Sequence, residues 1–295
     1  MTTRMHDDEL EIDTPLVRRL LAAQFPRWAE LPLERIVPSG TDNALYRLGD
    51  ELVVRLPRIH WAVDDVAKEQ RWLPALAPYL PVAIPAPVAV GGPGEGYPWQ
   101  WSVNRWLRGQ SVLAVGVPDQ QALALRLAEF VTAFRRVPLP GGPSSGRTAP
   151  VRTRDEAVRR SIASAADVID AALATEVWER VLAAPDWDGP DVWAHGDLLP
   201  GNLLVSGGTL SAVIDFGATG TGDPACDVIS AWSVFSGEGR DVFRDAVDVD
   251  DATWTRGRGW ALFVAVSAMA YYLHTNPVMV RIARHILREL AADAD

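Results

Sequence analysis

The stretch 195–227, HGDLLPGNLLVSGGTLSAVIDFGATGTGDPACD, constrains this chain more than any other. Leu203-Leu204-Val205 reads as a strand, Gly207-Gly208 as a hairpin turn, and Leu210 to Ile214 as the returning strand. The returning strand delivers Asp215-Phe216-Gly217 at its end, back beside His195-Gly196-Asp197 and Asn202. Asp197, Asn202 and Asp215 therefore converge, although they span nineteen positions.

Two carboxylates and a carboxamide are oxygen ligands of the kind a hard ion such as Mg²⁺ takes. A carboxylate beside that ion is placed to accept a proton from an alcohol. Together these are the parts of phosphoryl transfer from a nucleotide, where positioning and charge neutralisation supply most of the catalysis. Protein kinases set an Asp and an Asn five positions apart on one loop and follow them with Asp-Phe-Gly. Asp197, Asn202 and Asp215-Phe216-Gly217 have that spacing. The other readings of His195 and Asp197 are a solvated turn or a zinc pair. Zinc would call for further His or Cys nearby, whereas Cys226 is the only cysteine and His274 is far off in sequence.

His-Gly-Asp-x-x-x-x-Asn, Ile-Asp-Phe-Gly and Gly-Asp-Pro-x-x-Asp in this order resemble the aminoglycoside phosphotransferase family of kinase-like enzymes, relatives of macrolide phosphotransferases and choline-type kinases. Gly196 stands where protein kinases usually carry Arg, which favours the small-molecule branch. The resemblance implies Asp197 as catalytic base, Asn202 and Asp215 as Mg²⁺ ligands, and His195 as a brace of the loop. It implies that Asp223 and Asp227 brace the catalytic loop and start the next helix.

Composition sets wider limits. The length of 295 residues allows one large domain or two lobes, and 48% hydrophobic with 22% charged residues is ordinary for a soluble globular protein. The N-terminus MTTRMHDDELEID has no apolar core, so it does not read as a signal peptide. Trp260 to Leu273 is too short to span a membrane. One cysteine fits a reducing cytosol, and a cytoplasmic enzyme without a membrane partner is expected. The net charge of −10 argues against nucleic acid and is compatible with a cationic substrate. Lys68 is the only lysine.

Ahead of the motif region, Thr14 and Pro15 open a helix over 16–25. Strands are expected at 33–37, 44–48 and 51–56, a helix at 65–76 capped by Asp64, and strands at 87–90 and 97–107. In the kinase-like reading, the loop from Ser39 to Asn43 covers the nucleotide phosphates, with backbone amides and the Ser39 and Thr41 hydroxyls as the cradle. It lacks a GxGxxG pattern, and an ordinary hairpin loop is the alternative. Arg55 stands on the third strand where the kinase pattern has Lys. Arginine still neutralises phosphate and pairs bidentately with a carboxylate, and Glu69 on the next helix is its candidate partner. Otherwise both are solvated surface charges. The backbone of about Arg105 to Leu107 resembles a hinge that would hydrogen-bond a purine edge.

Beyond the hinge, helices are expected at 119–136 after Pro118, from Thr153 to about 172, at 175–184, 225–235, to about 246, from Asp251 to 273, and from Pro277 onward. Residues 138–150 form a loop that could lie near the substrate. Trp232, Glu238, Trp254, Tyr271, Tyr272 and His274 are candidate acceptor-wall residues, with core packing the alternative for each aromatic.

The expected fold is α+β, protein-kinase-like and two-lobed. Residues 1–108 would form a nucleotide-binding lobe of antiparallel sheet plus helix, with a hinge near 105–109. Residues 109–295 would form a mainly helical lobe carrying the catalytic β-hairpin. The expected activity is transfer of the γ-phosphoryl group of ATP or GTP to a hydroxyl of a small molecule, an aminoglycoside ahead of a macrolide, with a metabolic sugar or amino alcohol as the alternative. A nucleotide-binding pseudokinase is the rival from another class. A protein kinase is disfavoured by Gly196 and by the short interval from Asp215 to Asp227.

Overall fold

The computed structural model describes residues 9–36, 42–117 and 119–293. The chain divides into two units, Met1–Pro78 with Ala83–Arg108, and Tyr79–Val82 with Gly109–Asp295. The expected cradle residues Ser39 and Thr41, the end of the first strand at Val37, and Pro118 lie outside the described residues.

In the first unit, helix α1 (Thr14–Gln24) precedes strands β1 (Leu33–Arg35), β2 (Asn43–Leu48) and β3 (Leu52–Pro57). Helix α2 (Val63–Leu76) and strands β4 (Pro87–Gly91) and β5 (Trp101–Arg105) follow. The sheet order is β1-β2-β3-β5-β4, antiparallel throughout. Alternation drives it: Ala44, Tyr46 and Leu48 on β2 and Leu52, Val54 and Leu56 on β3 are buried. They pack with Val17, Leu20 and Leu21 of α1 and with Trp101 and Val103 of β5.

Several boundaries differ from expectation for local reasons. Asp13, not Thr14, caps α1, its carboxylate accepting from Leu16 N at 2.8 Å. Helix α2 starts at Val63 without a side-chain cap, so Asp64 sits in its first turn. The strand expected over 97–107 shortens to Trp101–Arg105. Tyr97 closes a turn on Gly94, and Pro98 has no N–H for a ladder.

In the second unit, β6 (Gln110–Ser111) and a one-turn helix α3 (Val112–Val115) lead into α4 (Gln120–Arg135), capped by Asp119. Of the two helices expected here, the one from Thr153 ends early as α5 (Asp155–Ser164), and the one over 175–184 starts early as α6 (Ala171–Ala183), because Asp170 caps it on Leu173 N. Strands β7 (Val192–Ala194), β8 (Leu203–Ser206), β9 (Thr209–Val213) and β10 (Gly220–Gly222) frame the motif region. They form a β6-β8-β9 sheet and a β7-β10 pair. The segment after Pro224 is a 3-10 turn, Pro224–Ile229, before the short helix α7 (Ser230–Ser233). Helices α8 (Gly237–Val247), α9 (Asp251–Tyr272) and α10 (Pro277–Ala292) complete the unit. Among the described residues no helix is long and apolar enough to cross a membrane.

Candidate active site

The expected hairpin is present. Strands β8 and β9 pair antiparallel around Gly207 and Gly208, both at positive φ. One residue past β9, Ile214 N–H donates to Asn202 O at 2.9 Å, which ties the end of the returning strand to the start of the hairpin. Asn202 Nδ2 donates to both the backbone O and Oδ2 of Asp197, each at 2.8 Å. Asp215, next to Ile214, adopts a left-handed backbone at φ 66, an uncommon state for a non-glycine residue that recurs at functional turns. The structure thus brings Asp197, Asn202 and the Asp215 turn together.

A buried frame holds this loop. Asp227 accepts the N–H of His195 (2.8 Å) and of Gly196 (2.7 Å), one on each carboxylate oxygen. Burial pushes its carboxyl up to about 6, against the pull of those two N–H groups and of Arg135. His195 is fully buried. Its Nδ1 accepts from Asp197 N at 3.2 Å, which leaves Nε2 as the proton-bearing nitrogen facing Ile214 O at 3.1 Å. Burial lowers its pKa to about 4, with the Asp215 charge and the Ile214 carbonyl opposing. Both ring nitrogens are engaged, so His195 has no lone pair for a metal and the zinc alternative falls. Among the described residues no group of three or more His, Cys, Asp or Glu could hold a metal ion. Phe216 packs edge-on beneath His195 with ring centroids 4.5 Å apart.

Asp223 anchors the far end of the stretch. Its carboxylate takes Arg256 Nε at 2.8 Å and Nη2 at 3.2 Å, with both side chains almost wholly buried. It also caps the following turn through Ala225 N at 3.0 Å. Gly196 is required by geometry. Its φ is +82, and a Cβ there would lie 2.8 Å from Ala218 O and 2.9 Å from Arg147 Cβ. Gly222 similarly lets β10 run against Thr148 O, which a Cβ would meet at 2.3 Å. The loop 143–148 therefore lies directly on the 195–227 segment, and Arg147 Nη2 reaches Asp197 Oδ1 at 3.7 Å.

In the first unit, Arg55 Nη1 donates to Glu69 Oε1 at 2.5 Å, with side chains 11% and 5% exposed, so the pair is buried rather than solvated. The Asn43 carboxamide oxygen, turned to the guanidinium, accepts from Arg55 Nε at 3.2 Å and Nη2 at 3.0 Å. At the expected hinge, Arg105 N–H is held by Ala86 O and Trp106 N–H by Glu51 O, both at 2.8 Å, and the Arg105 side chain pairs with Glu51. The Arg105 and Trp106 N–H groups are therefore already engaged. Of the candidate acceptor-wall residues, Trp232 and Trp254 pack on each other in the core at 4.8 Å, and Glu238 is held by Gln121.

Sequence reasoning did not name Arg147, Arg154, Arg256 or the Asn43–Arg55 contact. Three of these are arginines far in sequence from their partners, and no local pattern marks them. Asn43 lay inside the expected cradle loop, and its diagonal position to Arg55 on one face of the β2–β3 hairpin, where Leu45 is the residue directly opposite, was the one signal available.

The profile of the phosphotransferase enzyme family APH matches residues 34–260. A search of curated proteins finds no match. Among solved structures, the GDP complex of aminoglycoside 2'-phosphotransferase-IIIa superposes with a TM-score of 0.75 at 21% identity, covering 96% of this chain and 100% of that one. The GDP and kanamycin complex of APH(2")-IIIa gives 0.74 at 22% identity over 95% and 99%. Macrolide 2'-phosphotransferase MphH from Brachybacterium faecium gives 0.61 at 23% identity over 94% and 98%. The fold is shared with these kinase-like enzymes, and with the family profile spanning most of its length the chain belongs to the phosphotransferase enzyme family.

Proposed function

We propose that the chain transfers the γ-phosphoryl group of ATP or GTP to a hydroxyl of a small molecule, with Asp197 as the base. The observation that carries this is the Asn202 carboxamide. Its Nδ2 is spent on the Asp197 backbone and carboxylate, so Oδ1, the atom a metal would take, is turned away from Asp197. Asn202 Oδ1 and the Asp215 carboxylate are hard oxygen donors that fit Mg²⁺. When bound there, that ion neutralises phosphate charge. Asp197 accepts the acceptor's hydroxyl proton as the new O–P bond forms. The bond from the γ-phosphorus to the β–γ bridging oxygen breaks, and the nucleoside diphosphate leaves. In the first unit, Arg55, held by Glu69 and Asn43, would steady the α- and β-phosphates. Ser39 and Thr41 would supply amides and hydroxyls, and Arg105 O with the Leu107 backbone would meet the purine edge. Such chemistry suits the cytoplasm, where nucleotide and Mg²⁺ are abundant, and the lone Cys226 is buried and unbridged.

Likeness to the kanamycin-bound and macrolide enzymes puts antibiotics, an aminoglycoside first, among the acceptors to test. The charge beside Asp197 favours a second reading. The cation Arg147 stands there, and a polycationic acceptor would meet repulsion from it. The test is Mg²⁺-dependent ADP or GDP release across aminoglycosides, macrolides, sugars, amino alcohols and hydroxy acids, with Asp197→Ala as control. Release stimulated by one class and lost in the control supports the reading. Nucleotide binding with no stimulation by any class, and slow hydrolysis insensitive to Asp197→Ala, would leave the pseudokinase alternative standing.

A further inference from the structure

Arg147, beside Asp197, and Arg154, folded back on the same loop, are cations to which the resemblance gives no role. Arg147 reaches Asp197 Oδ1 only at 3.7 Å, longer than a committed hydrogen bond, and each side chain is about a quarter exposed. Arg154, immediately before α5, turns back over the same loop and donates Nη2 to Gly146 O. Both guanidiniums rest on the same two rings of α9. Arg147 lies 5.6 Å from the centroids of Trp260 and Phe263, and Arg154 lies 5.7 Å from each. The rings themselves meet edge to face at 5.8 Å.

Two like charges on one aromatic platform repel each other. Burial and the Arg147 charge both push the Arg154 pKa down. Among the described residues, Asp197 is the one carboxylate in ion-pair reach of either guanidinium. Of the other acidic groups nearby, Asp223 is committed to Arg256 and Asp227 to two backbone N–H groups, and Asp215 is the carboxylate assigned above to Mg²⁺. Two donors, Arg147 Nη1 and Arg154 Nε, are buried without an acceptor. Leaving a buried donor unpaired costs about 1–3 kcal/mol, more when it is charged, and such groups point to a missing partner. Planar guanidiniums with unfilled N–H groups match an oxyanion.

We propose that Arg147 and Arg154 form an anion subsite beside Asp197, and that the acceptor carries a carboxylate or phosphate group near the hydroxyl to be phosphorylated. This rests on the phosphotransferase reading of Asp197. The acceptor's anion draws Arg147 off Asp197, and as the guanidiniums turn toward it their unpaired N–H groups gain an acceptor, which frees the carboxylate for the hydroxyl. The same charge disfavours an aminoglycoside.

The test has a binding arm and a turnover arm. Inorganic sulfate is titrated at constant ionic strength into the full chain saturated with Mg²⁺ and nucleoside diphosphate, so that the phosphate site is filled. Wild type is expected to bind saturably in the millimolar range. Arg147→Gln and Arg154→Gln each weaken binding about tenfold. Arg154→Lys, which keeps the charge, retains most of it and guards against a folding defect in the Gln variant. No saturable binding, or Gln variants equal to wild type, overturns the subsite.

In the turnover arm, matched acceptors are compared: gluconate, glucose and glucosamine; glycerate, glycerol and glycerol phosphate. Preference for an anionic member, collapsing in Arg154→Gln through KM, supports the proposal, and the last set separates carboxylate from phosphate. Preference for glucosamine or kanamycin overturns it while leaving phosphoryl transfer intact. Sulfate binding with the expected variant pattern, but no nucleotide turnover sensitive to Asp197→Ala, would instead sink the phosphotransferase reading.

Discussion

Replacing Arg256 by Met isolates what the frame of the catalytic segment contributes. Arg256 spends its donors on Asp223 twice, on Pro185 O at 2.8 Å and on Thr253 Oγ1 at 3.0 Å. Methionine keeps the stem volume and removes every donor. Asp223 is then left as a charge in a site where its side chain is 3% exposed. Removing one partner of a buried pair costs about 3–5 kcal/mol, because the surviving charge is uncompensated. For a domain of this size, each kcal/mol moves the melting temperature by about 2–4 °C, so the fall is on the order of 6–20 °C. Urea and thermal melts of the full chain measure it. Adding Asp223→Asn removes the stranded charge while keeping an acceptor for Ala225 N, so the double variant is expected to be more stable than Arg256→Met alone. A loss under about 1 kcal/mol, or a double variant no better than the single, refutes the argument. Activity is expected to fall with stability, since Asp223 starts the turn that carries Asp227 to the His195 and Gly196 backbone.

The buried His195 and Asp227 give opposing pH dependences. His195 is held near 4, below its unfolded 6.5, so its contribution is fully present above pH 6.5 and is lost as pH falls through 4, about 3 kcal/mol in all. Asp227 is held near 6, above its unfolded 3.8, so its contribution is present below 3.8 and lost as pH rises through 6. A His195→Gln chain is expected to lag wild type at pH 7 and to close about 3 kcal/mol of that gap by pH 4 in urea melts; a gap independent of pH contradicts a neutral buried imidazole. Gly196→Ala forces a Cβ against Ala218 O at positive φ, and a loss of at least about 2 kcal/mol with a sharp drop in turnover is expected; wild-type melting would refute the packing account. Arg55→Met strands Glu69 and removes the phosphate cation, so nucleotide KM is expected to rise about tenfold or more; an unchanged KM would remove Arg55 from the nucleotide site.

The hairpin was legible because its signals are local. Glycines mark the turn, alternation marks the strands, and register then forces Asp215 back beside Asn202. The β2–β3 hairpin and the α1 and α10 helices were readable for the same reason. Helix caps shifted by a residue where two capping side chains adjoin, as at Asp13 and Thr14. The strand around Tyr97 and the helix after Thr153 were drawn too long, because a tight turn and an internal cap at Asp170 interrupt them without breaking hydrophobicity. The 3-10 turn after Pro224 looked helical because Pro and buried apolar residues suit both. What stayed hidden was long-range. Arg256 meets Asp223 across thirty-three positions, and Arg147 reaches Asp197 across fifty by lying on Gly196, with the next residue, Thr148, on Gly222. Neither leaves a periodic trace.

Asp197→Asn separates the proposed base of phosphoryl transfer from every other part of the site. Asparagine keeps the shape and an acceptor for Asn202 Nδ2 but takes no proton. Turnover and nucleotide affinity would be measured on the same preparation. Unchanged folding and nucleotide Kd are expected, with kcat reduced about 10²–10⁴-fold. Wild-type kcat in that variant, with the nucleotide still bound, would contradict Asp197 as the base.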